Sequence, residues 1–444
     1  MNVQIKIIRH FGYKGFKGLL LAIISLNTFA AEVAVQSSIS AAAEHDDNTR
    51  LSVNSPESLF GVTVSPRAIA EINTETLESQ IDLKLDFSEH NRDGYDSDDQ
   101  ALKISSQKSL EKQNFGVRAS AVRNSTRSSE DIDSGRFENS RREDYLVAPN
   151  WQYRFSEKQY LNLSGQYGVT DYESPRYTGY DNWSAAAQWN YRYKESLALF
   201  GRYNLSNYES DGRTQIFNFI REVDLGGGPI LEPIPVQQTY TTKSDSDGFQ
   251  LGANYQPFEQ FTLNGLFGRS NSDTTYSVTD DLDACAVTED DPSYISRGGC
   301  DLESQDSRTI SIDASATWRE ERSELSLNYS NSNRPSSDGF LVESQRLTLN
   351  WQRRMAQNNT LKLEALWLEN STLDVPDGQI NARTTDRTYY AFSLQYSHRL
   401  AEEFFLSTKY RYRQQERESI NGTAESNSLT LSLTYRPIKK LFTP

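Results

Sequence analysis

Past Ala30 the chain has no run approaching the ~18 consecutive apolar residues that mark a membrane-spanning helix. No transmembrane helix is therefore expected beyond residue 30. Histidine is nearly missing too: after residue 30 only His45, His90 and His398 remain. Outer-membrane lipases and proteases rely on a histidine held near a nucleophile or carboxylate. Here His45 and His90 lie beside Asp46, Asp47 and Asp93, a pairing that any acidic stretch supplies. The sequence also lacks a glycine-rich phosphate cradle and any Cys/His metal spacing. No catalytic residue, metal set or cofactor is therefore expected, and the chain is not read as an enzyme. A formal net charge of −15 disfavours nucleic acid as a partner.

Cysteine occurs twice, as Cys285 and Cys300, within one acidic stretch. In an exported protein this reads as a local disulfide. Closing such a loop contributes about 3 kcal/mol in the chain-entropy model. A metal site would need further ligands, and no histidine lies near.

Only 36% of residues are hydrophobic, yet 24 Tyr, 20 Phe and 6 Trp argue against disorder. An ordered chain with so little apolar content needs a fold that buries few residues on both sides. A barrel with a wet interior and an apolar outer band does this. Composition alone leaves a secreted β-sandwich or β-helix open. At the N-terminus Lys6, Arg9, Lys14 and Lys17 precede the apolar run Gly18–Ala30, with Thr28 and Ala30 at the −3 and −1 positions of a cleavage site. Residues 1–30 are thus read as a secretory signal peptide, and 31–444 as the mature domain; the alternative is a retained anchor helix, for which the run falls short of the ~20 residues needed.

What the mature chain does have is period-two alternation. Leu325, Leu327 and Tyr329 alternate with Glu324, Ser326 and Asn328; Leu429, Leu431, Leu433 and Tyr435 alternate with Thr430, Ser432 and Thr434. Each such strand has one greasy and one wet face. Alternation does not separate a sandwich from a barrel, but turn spacing does. Short turns fall near Asn73, Glu111, Ser156, Lys194, Pro257, Glu320, Met355 and Glu402. Longer acidic connections fall near 45–57, 89–97, 127–144, 173–180, 210–247, 273–307, 335–339, 372–386 and 416–424. Short and long alternate strictly, as periplasmic turns and extracellular loops do in bacterial barrels. Eight short turns and nine long loops imply a transmembrane antiparallel β-barrel of about 18 strands. Tyr153, Phe155, Tyr191, Tyr193, Trp318, Trp351, Tyr396 and Tyr435 precede short turns or the C-terminus, where a periplasmic aromatic belt is expected.

On the opposite register near those turns stand Arg154, Arg192, Arg319, Arg399 and Arg436, with Arg67 a further candidate. Lys409, Arg411 and Arg413 add a basic stripe to one ascending strand. Rings of basic side chains favour anionic solutes in pores. The alternative is that these arginines neutralise lipid headgroups or pair with lumen carboxylates such as Asp82, Asp86 and Asp313. The acidic stretch Asp280–Asp306 could supply Ca²⁺ ligands, but it lacks an EF-hand order, and simple solvation is the plainer reading. Segment 210–247 carries Ile216, Phe217, Phe219, Ile220, Ile230, Leu231 and Ile234 around Gly226-Gly227-Gly228, and is expected to fold inward as a constriction or over the mouth as a lid.

The chain resembles the β-barrel porins found with exopolysaccharide and exosortase systems. The likeness lies in Val35-Gln36-Ser37-Ser38-Ile39-Ser40, Glu44-His45-Asp46-Asp47-Asn48, Val62-Thr63-Val64-Ser65-Pro66 and Gln80-Ile81-Asp82-Leu83-Lys84-Leu85-Asp86-Phe87. These are strand patterns, and no catalytic residue carries over. The resemblance implies an outer-membrane barrel of a Gram-negative cell that helps a polysaccharide leave. The expectation is a passive conduit for exported polysaccharide, acidic cargo included, fed by a periplasmic export partner. The alternatives are a porin for nutrients or small anions, and a structural or adhesive barrel acting through its loops.

Overall fold

The computed structural model describes residues 31–129, 139–224, 229–280, 303–337, 339, 341–372, 386–417 and 420–442. It contains twenty strands. The first nine are β1 (Glu32–Asp46), β2 (Leu59–Asn73), β3 (Leu77–His90), β4 (Ser97–Ser109), β5 (Gln113–Ser125), β6 (Arg141–Arg154), β7 (Gln159–Tyr172), β8 (Tyr180–Lys194) and β9 (Leu197–Ser210). Then come β10 (Arg213–Asp224), β11 (Pro229–Phe258), β12 (Phe261–Asp280), β13 (Glu303–Arg319), β14 (Ser323–Pro335) and β15 (Leu341–Ala356). The chain finishes with β16 (Asn359–Thr372), β17 (Arg387–Arg399), β18 (Phe404–Arg417), β19 (Ile420–Tyr435) and β20 (Lys440–Phe442). One helical turn, α1 (Thr126–Ser129), follows β5.

Every pairing is antiparallel. β9 pairs β11 directly, from Glu209↔Lys243 to Leu197↔Tyr255. β1 closes on β19 from Ile39↔Tyr435 to Asp46↔Ser428. Setting aside β10 and β20, which lie outside the ring, the wall is a closed barrel of eighteen strands. All eight expected short turns join strands, for example Glu320, whose N–H donates to Ser323 O at 2.7 Å.

Side-chain alternation then sorts lipid from water. Leu429, Leu431, Leu433, Leu263, Phe267, Leu325 and Leu327 are exposed on the outer face. Their neighbours in sequence point into the lumen and are mostly Ser, Thr, Asn and Gln. Aromatic rings gather at the periplasmic rim as the sequence predicts. Phe115, Trp151, Tyr153, Phe155 and Trp189 form an unbroken chain of contacts with centroids 4.8–6.4 Å apart. Phe258 and Phe261 pack on Trp318, and Phe404 packs on Tyr435.

Segment 210–247 departs from its expected form. It is a β-hairpin in place of an irregular loop, with β10 paired to the first part of β11 from Asp224↔Pro229 to Arg213↔Tyr240. β11 is one continuous 30-residue strand, and its pairing with β12 reaches Gln238↔Asp280. The hairpin thus continues the wall past the length of ~9–11 residues that a membrane strand requires. Cys285 and Cys300, and most of the acidic stretch around them, lie outside the described residues.

The C-terminal extension also has a place. Pro437 has no N–H to donate, so β19 cannot continue through it. After an interruption at 436–439 the chain runs on in the same direction along β1, and β20 pairs Lys440, Leu441 and Phe442 with Val35, Ala34 and Val33. That covers part of the β1 edge, Glu32–Ser38, which β19 leaves without a partner.

This sorting gives a paired test. Leu327→Arg places a charge on the lipid face near mid-depth and should lower unfolding free energy by about 2–4 kcal/mol. Asn328→Arg, its lumen-facing neighbour, should cost far less. Denaturant titration of the barrel in lipid vesicles compares them directly.

Candidate functional site

The candidate site is the lumen, from the basic periplasmic end to the mouth that the extracellular loops enclose. Arg154, Arg192, Arg319, Arg399 and Arg436 all stand on the inward register at the periplasmic end, and Arg154 and Arg192 are exposed. They do not form one uniform ring. Arg319 is paired with Glu324 (Nη2–Oε1 2.8 Å). Arg399 donates to the carbonyls of Ala401 and Glu402 at 3.3 and 3.1 Å. Its guanidinium and that of Arg436 lie 5.9 and 5.2 Å from the Phe405 ring centroid. Among the described residues Arg154 and Arg192 have no ion pair. Arg67 is held bidentately by Asp82, at 2.8 and 2.6 Å. Three arrangements therefore coexist: paired, stacked on an aromatic, and free.

Lys409, Arg411 and Arg413 face the lumen on β18, as the alternation predicts. Arg411 donates to the Tyr389 hydroxyl at 3.2 Å. Arg413 requires a correction: it is not a free lumen cation. Its Nη2 meets Asp46 Oδ2 at 2.6 Å and Ser426 Oγ at 3.0 Å, and both ion-pair partners are buried. Ser426 in turn donates to Asp46 Oδ1 at 2.8 Å. The three side chains come from β18, β1 and β19, so this cluster bridges the seam where the barrel closes.

At the extracellular end loops 47–58 and 91–96 turn inward. In loop 47–58 Leu51 sits at φ 46°, a left-handed conformation unfavourable for a leucine by roughly 1–2 kcal/mol. The compensation is burial against Leu368, Tyr389 and Ala424 on the lumen side of β16, β17 and β19. Asn48 anchors the loop, its Nδ2 donating to Ser52 O at 3.0 Å and Glu425 O at 2.8 Å. Loop 91–96 locks onto the first through Tyr95, whose hydroxyl donates to Glu57 Oε2 at 2.6 Å. Arg50 lies over the Tyr95 ring at 5.3 Å, and Arg92 approaches Glu57 at 3.6 Å. The Tyr95 hydrogen bond, with Arg50 and Arg92 adding to it, holds the Glu57 carboxyl below its ordinary range. Burial first, then Glu57, raises the Tyr95 phenol.

A second bridge crosses the mouth. Thr178 N–H donates to Ser337 O at 2.7 Å, joining loop 173–179 to loop 336–340. Both residues are fully buried. Gly339, at φ 84°, lies against Thr178 in a conformation that glycine adopts readily. Four strands (β9, β11, β12 and β13) separate the hairpins these loops belong to, so the bridge spans a chord of the barrel. Beneath it lies a cavity of about 260 Å³ lined by Asn182, Asn204, Ser206, Ser244, Ser246 and Ser311, with no charged residue. Ser244 and Ser246 bond Thr274 and Ser272 at 2.9 and 2.8 Å, fixing the polar wall. The Asn204 side-chain oxygen is buried without a partner. Sequence reasoning treated 173–180 and 335–339 as ordinary loops and missed this pocket. The signal was the Ser/Asn-rich inner register of β8, β9 and β11, read only as generically wet.

Fold and lumen together define a transmembrane β-barrel whose mouth is narrowed by its own loops. No protein-family profile matches the chain, and no curated protein aligns with it significantly. Among solved structures it is similar to the siderophore receptor PiuA from Acinetobacter baumannii, with 7% identity over 90% of this chain and 82% of that one and a TM-score of 0.43. It is also similar to OccK5 (OpdH) from Pseudomonas aeruginosa, with 10% identity over 91% and 98% of the two chains and a TM-score of 0.41. Acinetobacter baumannii OccAB4 gives 10% identity over 93% and 99%, with a TM-score of 0.41. These likenesses concern barrel architecture alone. Among the described residues no group of three His, Cys, Asp or Glu side chains is placed to hold a metal.

Two outcomes follow. Arg413→Met strands the buried Asp46 carboxylate and should destabilise the barrel by about 3–5 kcal/mol, whereas Arg413→Met with Asp46→Leu should recover most of that loss in the same denaturant titration. The loop contacts of Glu57 have their own pH window. A carboxyl whose folded pKa is depressed contributes fully above its unfolded value of about 4.3 and loses that contribution as pH falls through the folded pKa. Amide exchange in 47–58 should therefore accelerate, relative to the barrel strands, on acidification below about pH 4. Glu57→Gln should show that acceleration already at neutral pH.

Proposed function

We propose that this chain is an outer-membrane pore that passes a saccharide passively, with an exported polysaccharide, acidic cargo included, as the preferred cargo. The observation that carries the reading is the lumen register itself: hydrogen-bonding side chains along the wall, arginines at the periplasmic end, and an uncharged Asn/Ser cavity near the mouth. Hydroxyl-rich chains exchange hydrogen bonds with such a wall at little cost, because each lost water contact is replaced. Exposed guanidinium groups at the entry raise the local concentration of anionic cargo. Arg154 and Arg192 carry that role, while Arg319, Arg399 and Arg436, held by Glu324, loop carbonyls and Phe405, shape the rim. A periplasmic export partner would dock at this end. The inturned loops bridge the mouth, so passage of a chain requires them to yield. A porin for nutrients or small anions is the second reading, favoured by the small volume of the enclosed cavity.

Single-channel recording of the purified barrel in a planar bilayer tests this, with anionic and neutral oligosaccharides added at the periplasmic side. Ohmic steps blocked by both classes, more strongly by the anionic one, are expected. Arg154→Gln with Arg192→Gln should weaken block by the anionic sugar several-fold and leave block by the neutral one unchanged, as removal of two exposed charges implies. A barrel that never conducts, or conducts and ignores every sugar, would sink the saccharide-conduit reading.

A further inference from the structure

The outer face of β11, β12 and β13 is layered in a way that lipid contact alone does not require. Cross-strand register sets its rows. Leu251, Phe267 and Ile312 form the lowest; Phe249, Arg269 and Ile310 come next; then Asp247, Asn271 and Arg308; then Asp245, Asp273 and Asp306. Same-face rows are two residues apart, or about 7 Å along the strand. Within three steps toward the extracellular side the surface turns from apolar to cationic to acidic.

Phe249, Leu251, Phe267 and Ile310, all more than half exposed, line an open groove of about 630 Å³ whose upper wall is Arg269 and Arg308. The two arginines are diagonal neighbours on adjacent strands, about 7–8 Å apart at their Cα atoms, close enough for both guanidinium groups to reach one anion. Among the described residues neither guanidinium makes a hydrogen bond or ion pair, although carboxylates stand one row above. Arg308 is separated from Asp247 by the whole width of β12. Below the arginines the same three strands continue in Ala253, Gly265 and Ala314, a shallow trough in which a Cβ added at Gly265 meets nothing within 4 Å.

We propose that this face is a binding site for a phosphorylated, multiply acylated lipid of the outer leaflet, its acyl chain in the groove and its phosphate on Arg269 and Arg308. Charge complementarity selects this occupant over an ordinary zwitterionic lipid. Paired guanidinium groups suit phosphate geometry, and the apolar groove directly beneath demands a chain attached to that phosphate-bearing head. The Asp245, Asp273 and Asp306 row sets the depth, because a phosphate attracted at the arginines is repelled one row higher. The site rests on the outer-membrane orientation of the barrel and is independent of what the lumen carries.

The test is native mass spectrometry of the full-length barrel in detergent, titrated with purified lipid A and with the same lipid after removal of its phosphates. Wild-type protein should retain the phosphorylated form preferentially. Arg269→Gln with Arg308→Gln should weaken its retention on the order of tenfold, as the loss of two partly exposed ion pairs implies, and bring it level with the dephosphorylated form. Arg322→Gln with Arg353→Gln, which removes two exposed arginines at the periplasmic end, should leave retention unchanged. Equal retention of both lipids by wild type, or an equal loss in the two double variants, would overturn the site. Because the readout needs no conductance, failure here and failure of the pore reading are distinguishable.

Discussion

In a bilayer every backbone N–H and C=O must find its partner inside the protein, and for strands only ring closure achieves this. The rest of the structure answers to that constraint. Eighteen strands close because β19 reaches β1, and at the seam Arg413, Asp46 and Ser426 add a buried polar clasp to the backbone ladder. Once closed, each strand presents one face to lipid and one to the lumen. A hydrophobic content as low as 36% then suffices, because only the outer register has to be apolar.

The lumen is uneven. Its periplasmic end is rimmed by arginines whose environments differ: carboxylate, carbonyls, aromatic ring, or water. Its extracellular end is drawn together by loops that spend backbone strain, as at Leu51, against burial among Leu368, Tyr389 and Ala424. The two ends therefore offer a solute different surfaces, guanidinium groups at one and a loop-bridged, uncharged wall at the other.

Much of the fold was legible in the chain because turn spacing and two-residue alternation are local properties. The alternation of Leu429, Leu431 and Leu433 with Thr430 and Ser432 reports the two faces of β19 without knowledge of its neighbours, and the short turns near Glu111 and Glu320 need only a few residues to be recognised. What escaped depended on distance. The partner of Arg413 lies 367 residues away, so nothing local to β18 names Asp46 as the carboxylate that holds it. Leu51 inside a polar loop was a readable sign of inward folding, but nothing local says which strands receive it. The apolar residues between Ile216 and Ile234 pointed to something other than a solvated loop. They belong to paired strands, and the pairing of Phe217 with Val236 is invisible until β11 is seen to run on as one strand. The uncharged cavity escaped for the same reason, since Ser and Asn on an inward register read as wet wall wherever they occur.

The short strand β20 bears on how such a chain completes itself. Joining β1 to β19 closes a loop of nearly the whole chain, which costs about 5 kcal/mol of chain entropy on a logarithmic length law. It also leaves the first residues of β1 as a bare edge able to recruit a strand from another molecule. By running on from β19 beside Val33–Val35, Lys440–Phe442 occupy that edge with the molecule's own backbone. The edge is thereby closed to a strand from a second copy.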